Sequence, residues 1–213
     1  MLQYLIRHGE SVSNVEERVQ GQADVDLSEL GRSQAARVAA RSRELVASAP
    51  GNDAPWEIWS SPLKRARHTA EMIAAAVGLP LHIEERLCEL HAGIFQGHLW
   101  ADLETQFPEA VAQWRSGDVH YQIPGGESRA QLAARGHEAL QALAGRNVSG
   151  MIVVAHGGVL TAALGSLLGR AHPLLASAAQ RPFTKLPALA NASLTLLEWP
   201  GPRLISFNET AHL

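Results

Sequence analysis

Short apolar runs alternate with helix-like stretches along most of this chain, and that alternation restricts it to one fold class. Residues 2–6 read as a strand, and 29–47 as a helix with Ala36, Ala39, Ala40 and Leu45 near one face. Trp56–Ser60 is a short strand after the turn-like P-G-N-D-A-P. Pro62–Val77 reads as a helix closed by Gly78 and Pro80, and Leu81–Ile83 as a further short strand. A helix is expected over Glu127–Leu143 after P-G-G, then the strand M-I-V-V-A (Met151–Ala155), then a helix over 158–168. Ser193–Trp199 and Arg203–Phe207 flank P-G-P as two strands of a hairpin. Strands alternating with helices imply an α/β fold with a mostly parallel sheet, and the final hairpin adds an antiparallel strand.

Residues 91–126 fit this rhythm less well. They carry Trp100, Phe107, Trp114 and Tyr121 on short segments that include helix. Such an insertion forms either a lid or pocket wall, or a surface excursion with its own small aromatic core. With no repeat, low-complexity tract or splitting linker, 1–213 reads as one domain with 91–126 inserted in it.

The chain of 213 residues can bury a proper core, and its composition (46% apolar, 18% charged) is that of a soluble globular protein. No apolar run reaches the length of a membrane span. M-L-Q-Y-L-I-R-H-G lacks the basic lead and the apolar length of a signal peptide. Cys88 is the only cysteine, which excludes an intrachain disulfide and makes a reducing cytoplasm the expected setting. A net charge of -3 gives no basic field for nucleic acid. No motif sets the oligomeric state, and a homodimer stays open.

The chemistry-bearing residues gather at strand ends. In open α/β sheets, functional groups collect beyond the carboxyl ends of the strands. The first strand ends in Arg7-His8-Gly9, M-I-V-V-A ends in His156-Gly157-Gly158, and W-E-I-W-S runs into Ser61-Pro62-Leu63-Lys64-Arg65. Three strands thus deliver two histidines and two arginines to one edge. A glycine after each histidine lets the backbone turn sharply and approach a ligand. Ser61 can cap a helix whose first turn holds Pro62 and Arg65. Helix N-termini attract anions, and the arginine fork matches phosphate oxygens, so the implied ligand is a phosphate.

These stretches resemble the histidine phosphatase superfamily, in its phosphoglycerate-mutase-like branch. The matching text is L-I-R-H-G-E-S-V-S-N (5–14), V-Q-G (19–21), D-V-D-L-S-E-L-G-R-S-Q-A (24–35) and S-S-P-L-K-R-A-R-H-T-A (60–70). It continues with R-L-C-E-L-H-A-G-I-F-Q-G (86–97), P-G-G-E-S (124–128) and V-V-A-H-G-G (153–158). The resemblance implies a three-layer α/β/α sandwich with a small helical cap, and a phosphohistidine enzyme. By it His8 is the nucleophile, and Arg7, Arg65 and His156 hold the transferring phosphoryl group. Glu89 is the proton donor to the leaving oxygen and then the base for water. Asn14, Gln20, Gly21 and Gly157 line the substrate site. Flanking cations are expected to keep His8 neutral. Glu89 must carry a proton to act as acid, a form that a nearby anionic phosphate favours; Glu85 is the fallback.

No metal or cofactor is expected, because the arginines and His156 supply the charge stabilisation. D-V-D-L-S (24–28) mimics an aspartate-nucleophile motif but follows V-Q-G-Q-A instead of an apolar strand, so it reads as a loop into a helix cap. Cys88 lacks the arginine six residues on that a thiolate phosphatase carries; Ile94 stands there. The histidines show no metal-ligand spacing, and of the others only His91 is placed to reach the pocket.

Cofactor-dependent mutases carry a longer basic insertion after the acid-bearing segment. Here 91–126 is short and its only arginine is Arg115. That favours a histidine acid-type phosphatase acting on a small, less highly charged, partly apolar phosphomonoester. The alternatives are a phosphoglycerate mutase or a catalytically weak phosphoester-binding protein of the same fold.

Overall fold

The computed structural model describes residues 1–48, 55–169, 171–176 and 188–213. The chain opens with β1 (Leu2–Arg7), the single turn α1 (Val12–Val15) and the long helix α2 (Glu29–Ala47). β2 (Trp56–Ser60), α3 (Lys64–Val77) and β3 (Leu81–Ile83) follow. Two short helices, α4 (Leu103–Gln106) and α5 (Pro108–Arg115), lie within 91–126. Then come α6 (Arg129–Ala144), β4 (Gly150–Ala155), α7 (Gly157–Leu168), α8 (Pro173–Ala176), β5 (Leu194–Glu198) and β6 (Arg203–Glu209).

The six strands form one sheet in the order β3-β2-β4-β1-β5-β6. β1, β2, β3 and β4 pair in parallel. β5 is antiparallel to β1 and to β6, so it alone runs against the rest. The expected α/β sheet with one reversed strand is therefore the fold observed. β4 lies between β1 and β2 and is buried along its whole length, which explains its unbroken apolar text.

Period-two alternation divides the strand residues between two helical layers. Leu5, Met151, Val153 and Ala155 face α6 and α7 through Leu132, Leu140, Val159 and Leu160. Ile6, Ile58, Ile152 and Val154 face α2 and α3 through Val38, Ala39, Ala70 and Ile73. Each of the fully buried Leu, Ile, Val and Met side chains among these contributes about 1.5–3 kcal/mol relative to exposure.

Three details differ from the sequence reading. The buried stripe of α2 is Ala35, Val38, Ala39 and Ser42, while Ala36 and Ala40 face solvent. The 3.6-residue period sets this stripe, and alanine content alone is a poor guide to it. α3 starts at Lys64 after an N-cap, Leu63, that makes no side-chain cap bond. The Lys64 N–H instead donates to Asp24 Oδ1 at 2.8 Å, so a carboxylate from D-V-D-L-S caps the helix from another loop. Ser28 caps α2 as expected, accepting from Gly31 N. α6 begins only at Arg129, because Ser128 and Gln131 form a reciprocal capping box that fixes its start.

Residues 91–126 contribute most of a third apolar cluster, with Ala92, Phe95, Leu103, Val111, Trp114 and Ile123 packed around Val19. No helix of the described residues is long and apolar enough to cross a membrane.

Candidate active site

Parallel pairing of β2, β4 and β1 aligns the ends of three adjacent strands, and the residues that follow them meet there. His8 follows β1 and is 3% exposed. Its Nδ1 lies 2.6 Å from the Gly9 carbonyl oxygen, which can only accept, so the proton sits on Nδ1. In the neutral imidazole this leaves Nε2 with the lone pair a nucleophile needs. Gly9 also answers a packing demand that the sequence does not reveal. A Cβ there would meet the Gly31 carbonyl oxygen at 2.4 Å, so the glycine serves the close packing of this loop on the start of α2.

Arg65 lies in the first turn of α3 and is 1% exposed. It donates to the carbonyls of Gly21 and Ala23, both at 2.8 Å, and its buried Nε has no partner among the described residues. Burial pushes its pKa down to about 10, against the opposing pull of Glu89, Cys88 and Asp24, so it remains a cation at neutral pH. His156 is the N-cap of α7 and is fully buried, its ring centroid 5.1 Å from that of His8. Ser61 does not cap α3. Its Oγ accepts from Leu63 N–H at 3.3 Å and stands 2.8 Å from His156 Nε2. His156 Nδ1 is, like Arg65 Nε, a buried atom without a partner among the described residues. Two such atoms beside one cavity are what an anion would satisfy.

Burial first, then the charges of Arg65, His8, Arg7 and Arg135, hold the His156 pKa well below the usual 6.5. Below about pH 6.5 the unfolded chain therefore binds more protons here than the folded one. This residue's contribution to stability is complete above that pH and declines as pH falls below it. Urea unfolding at about pH 7 and about pH 5.5 is expected to show a loss approaching about 1.4 kcal/mol per pH unit from this group. His156→Gln should flatten the slope by that amount, and an unchanged slope in the variant would exclude the assignment.

Glu89 reaches the same place from the chain after β3. Its Oε2 accepts from Gly158 N at 2.8 Å, and its Oε1 from Val159 N at 3.0 Å and Leu90 N at 2.9 Å. The carboxylate thus caps α7, whose own N-cap side chain makes no cap bond. Gly158 is required for this: a Cβ there would stand 2.3 Å from Glu89 Oε1. The backbone around Glu89 is clamped by Arg135 of α6, which donates to the carbonyls of Arg86, Cys88 and Glu89 and pairs with Glu127 at 2.6 Å.

A cavity of about 490 Å³ opens above these groups. Eight of the nine residues singled out from sequence line it: Arg7, His8, Asn14, Gln20, Gly21, Arg65, Glu89 and Gly157. The ninth, His156, lies just beneath its floor. Asn14 and Gln20 turn their amide oxygens to Ser11, so their amide nitrogens are the atoms left for a ligand. His91 and Glu85 are exposed and do not line the cavity. Arg115 pairs with Glu104 away from it. The sequence reading missed Ser61 as the partner of His156, Arg135 as the clamp on Glu89, and Arg129 in the cavity wall. For the first two, no spacing rule connects residues so far apart. Arg129 follows P-G-G-E-S directly and could have been suspected from that position.

A sheet whose strand ends bring two histidines, two arginines and a carboxylate to one cavity defines a phosphoryl-handling α/β protein. The chain belongs to the histidine phosphatase superfamily (branch 1), whose model matches residues 3–208. A metal-independent phosphoserine phosphatase of Arabidopsis thaliana is 41% identical over 161 residues, covering 74% of this chain and 65% of that protein. This chain thus spans just under two thirds of that relative. A glucosyl-3-phosphoglycerate phosphatase of Mycobacterium tuberculosis is 36% identical over 205 residues, 91% of this chain and 83% of that protein. The structure of a mycobacterial glucosyl-3-phosphoglycerate phosphatase with VO3 superposes with a TM-score of 0.76 at 32% identity, over 98% of this chain and 99% of that one. Other relatives are named as probable phosphoglycerate mutases. The expected phosphoester hydrolase of this superfamily is borne out at that level.

Proposed function

We propose that the protein is a metal-independent phosphomonoester hydrolase that works through a phosphohistidine on His8. The observation that carries this is the Gly9 carbonyl on His8 Nδ1, which presents the Nε2 lone pair at the floor of a cavity lined by Arg7 and Arg65. In the first step Nε2 attacks phosphorus in line, the phosphorus–oxygen ester bond breaks, and Glu89 gives its proton to the departing oxygen. In the second step water attacks the phosphohistidine, Glu89 takes the water's proton, and the phosphorus–nitrogen bond breaks to release phosphate. Arg7, Arg65 and the Nδ1–H of a neutral His156 bind the phosphoryl oxygens throughout.

In the ligand-free protein Glu89 serves as acceptor for three N–H groups. We place the working range at mildly acidic to neutral pH, the sense in which the enzyme is acid-type. Residues 91–126 act as a small cap within a single domain, their Trp100 and Trp114 forming part of the cavity wall. The substrate is a small-molecule phosphomonoester, and the single cysteine and the charge balance suit a cytoplasmic enzyme. The competing reading is a mutase, which the mutase-named relatives keep in view.

The test is turnover of an aryl phosphate and of phosphoserine in excess chelator. Release of inorganic phosphate undiminished by chelator supports the reading. Loss of turnover on chelation, or transfer of the phosphoryl group to a second hydroxyl without phosphate release, would overturn it.

A further inference from the structure

The two histidines of the site are held in different ways. His8 has its Nδ1 on a backbone carbonyl, whereas His156 Nε2 meets a side chain, Ser61 Oγ, at 2.8 Å. Ser61 and His156 are both completely buried. Ser61 has little freedom to adjust. Its N–H donates to the Val154 carbonyl at 3.0 Å, and its own carbonyl accepts from Ser60 Oγ at 2.9 Å. The register that sets Ser60 against Val154 therefore places the Ser61 hydroxyl beside the His156 ring.

A count of donors and acceptors shows which way the proton between them points. A serine hydroxyl has one proton to give and two lone pairs. The Leu63 N–H donates to Ser61 Oγ at 3.3 Å. The Cys88 thiol also hydrogen-bonds Ser61, and burial raises its pKa, so at neutral pH it has a proton to donate. These two donors fill the lone pairs. The hydroxyl proton is left for His156 Nε2, a better acceptor than sulfur. Burial keeps the ring neutral, so its single N–H is then at Nδ1, the buried atom without a partner among the described residues. The other tautomer would put three donors on one hydroxyl oxygen and turn a lone pair toward an incoming anion. We propose that Ser61 is a positioning residue that fixes the Nδ1–H tautomer of His156, so that the ring meets the phosphoryl group as a donor. This rests on reading the cavity as a phosphomonoester site. Ser61 does not line the cavity and acts wholly through His156. One tautomer thus serves two ends: His8 presents its lone pair, and His156 presents its N–H.

Nitrogen-15 spectra of protein labelled at histidine report the tautomer directly. The His156 signals are identified by their absence from His156→Ala protein. With inorganic phosphate present, the wild type is expected to show a protonated Nδ1 and a bare Nε2. Ser61→Ala should lose that single tautomer, its two nitrogen shifts moving toward each other. kcat and KM for nitrophenyl phosphate are measured alongside for the wild type, Ser61→Ala, His156→Ala and the double variant. Ser61→Ala should lower kcat by roughly 10–10²-fold with a smaller change in KM, because the donor acts most strongly in the transition state. Adding Ser61→Ala to His156→Ala should cost less than about 3-fold more, since no ring remains to be positioned. A proton on Nε2 in the wild type would overturn the proposal. So would an unchanged His156 spectrum in Ser61→Ala, or fully additive losses in the double variant. If no ester is hydrolysed, the hydrolase reading fails by itself, and the wild-type spectrum still decides the tautomer.

Discussion

His8→Ala is expected to remove phosphomonoester turnover almost completely, by about 10³-fold or more, while the protein still folds and still binds phosphate. The size of the effect follows from what His8 does and its neighbours do not do. Its Nδ1–H is held by the Gly9 carbonyl, so in the neutral ring Nε2 offers a lone pair. His156, the other histidine at the site, is bound through Nε2 to Ser61 and lies beneath the cavity floor. The truncation forfeits the Nδ1–Gly9 hydrogen bond and part of a buried ring contact, a cost of about 1 kcal/mol for that bond. Folding should survive, as far-ultraviolet circular dichroism will show. Rapid quench should trap an acid-labile phosphoenzyme in the wild type and none in the variant. Turnover within about tenfold of wild type in the variant would refute the phosphohistidine.

The parts of this site that were legible in the sequence are those that strand ends dictate. An apolar run must end, and R-H-G, H-G-G and S-S-P-L-K-R-A stand where three runs end. Once the strands are parallel and adjacent, these residues meet by necessity, and eight of the nine chosen do line the cavity. What could not be read are contacts made across the fold. Ser61 sits before a helix with Pro62 next to it, the local picture of an N-cap. Only the adjacency of β2 and β4 makes His156 its partner instead. The cap duty then falls to Asp24, forty residues earlier. Glu89 carries no local signal of being a helix cap for α7, since that role needs Gly158 to be bare on the facing side. Periodicity located α2 but misassigned its face, because alanine fits a packed interface and an exposed surface equally well.

These long-range contacts also hold the proposed site together. The His8–Gly9 hydrogen bond, the Ser61–His156 bond, the two carbonyls on Arg65 and the Arg135 clamp on residues 86–89 are all made in the ligand-free protein. Phosphoryl transfer asks mainly for positioning and charge, and a site that needs no rearrangement provides both.

Glu89→Gln is expected to separate the two chemical steps. An alkoxide such as that of serine or glycerate leaves only with a proton, so turnover of these esters should fall by about 10²–10⁴. Nitrophenolate leaves without one, so phosphorylation of His8 by nitrophenyl phosphate should stay fast. The second step still needs a base to take the proton of water, and glutamine offers none. The variant should therefore release a burst of nitrophenol of roughly one equivalent per site, then slow down as phosphoenzyme accumulates. Structure adds a second expectation. Three N–H groups converge on the Glu89 oxygens, and the amide nitrogen of glutamine must face at least one of them, donor to donor. A destabilisation of about 1–3 kcal/mol should accompany the kinetic change, read by urea unfolding. The burst is what a purely structural glutamate would not produce. An equal loss on aryl and alkyl esters with no burst would mean that Glu89 serves only as the cap of α7, and the proton would have to come from elsewhere.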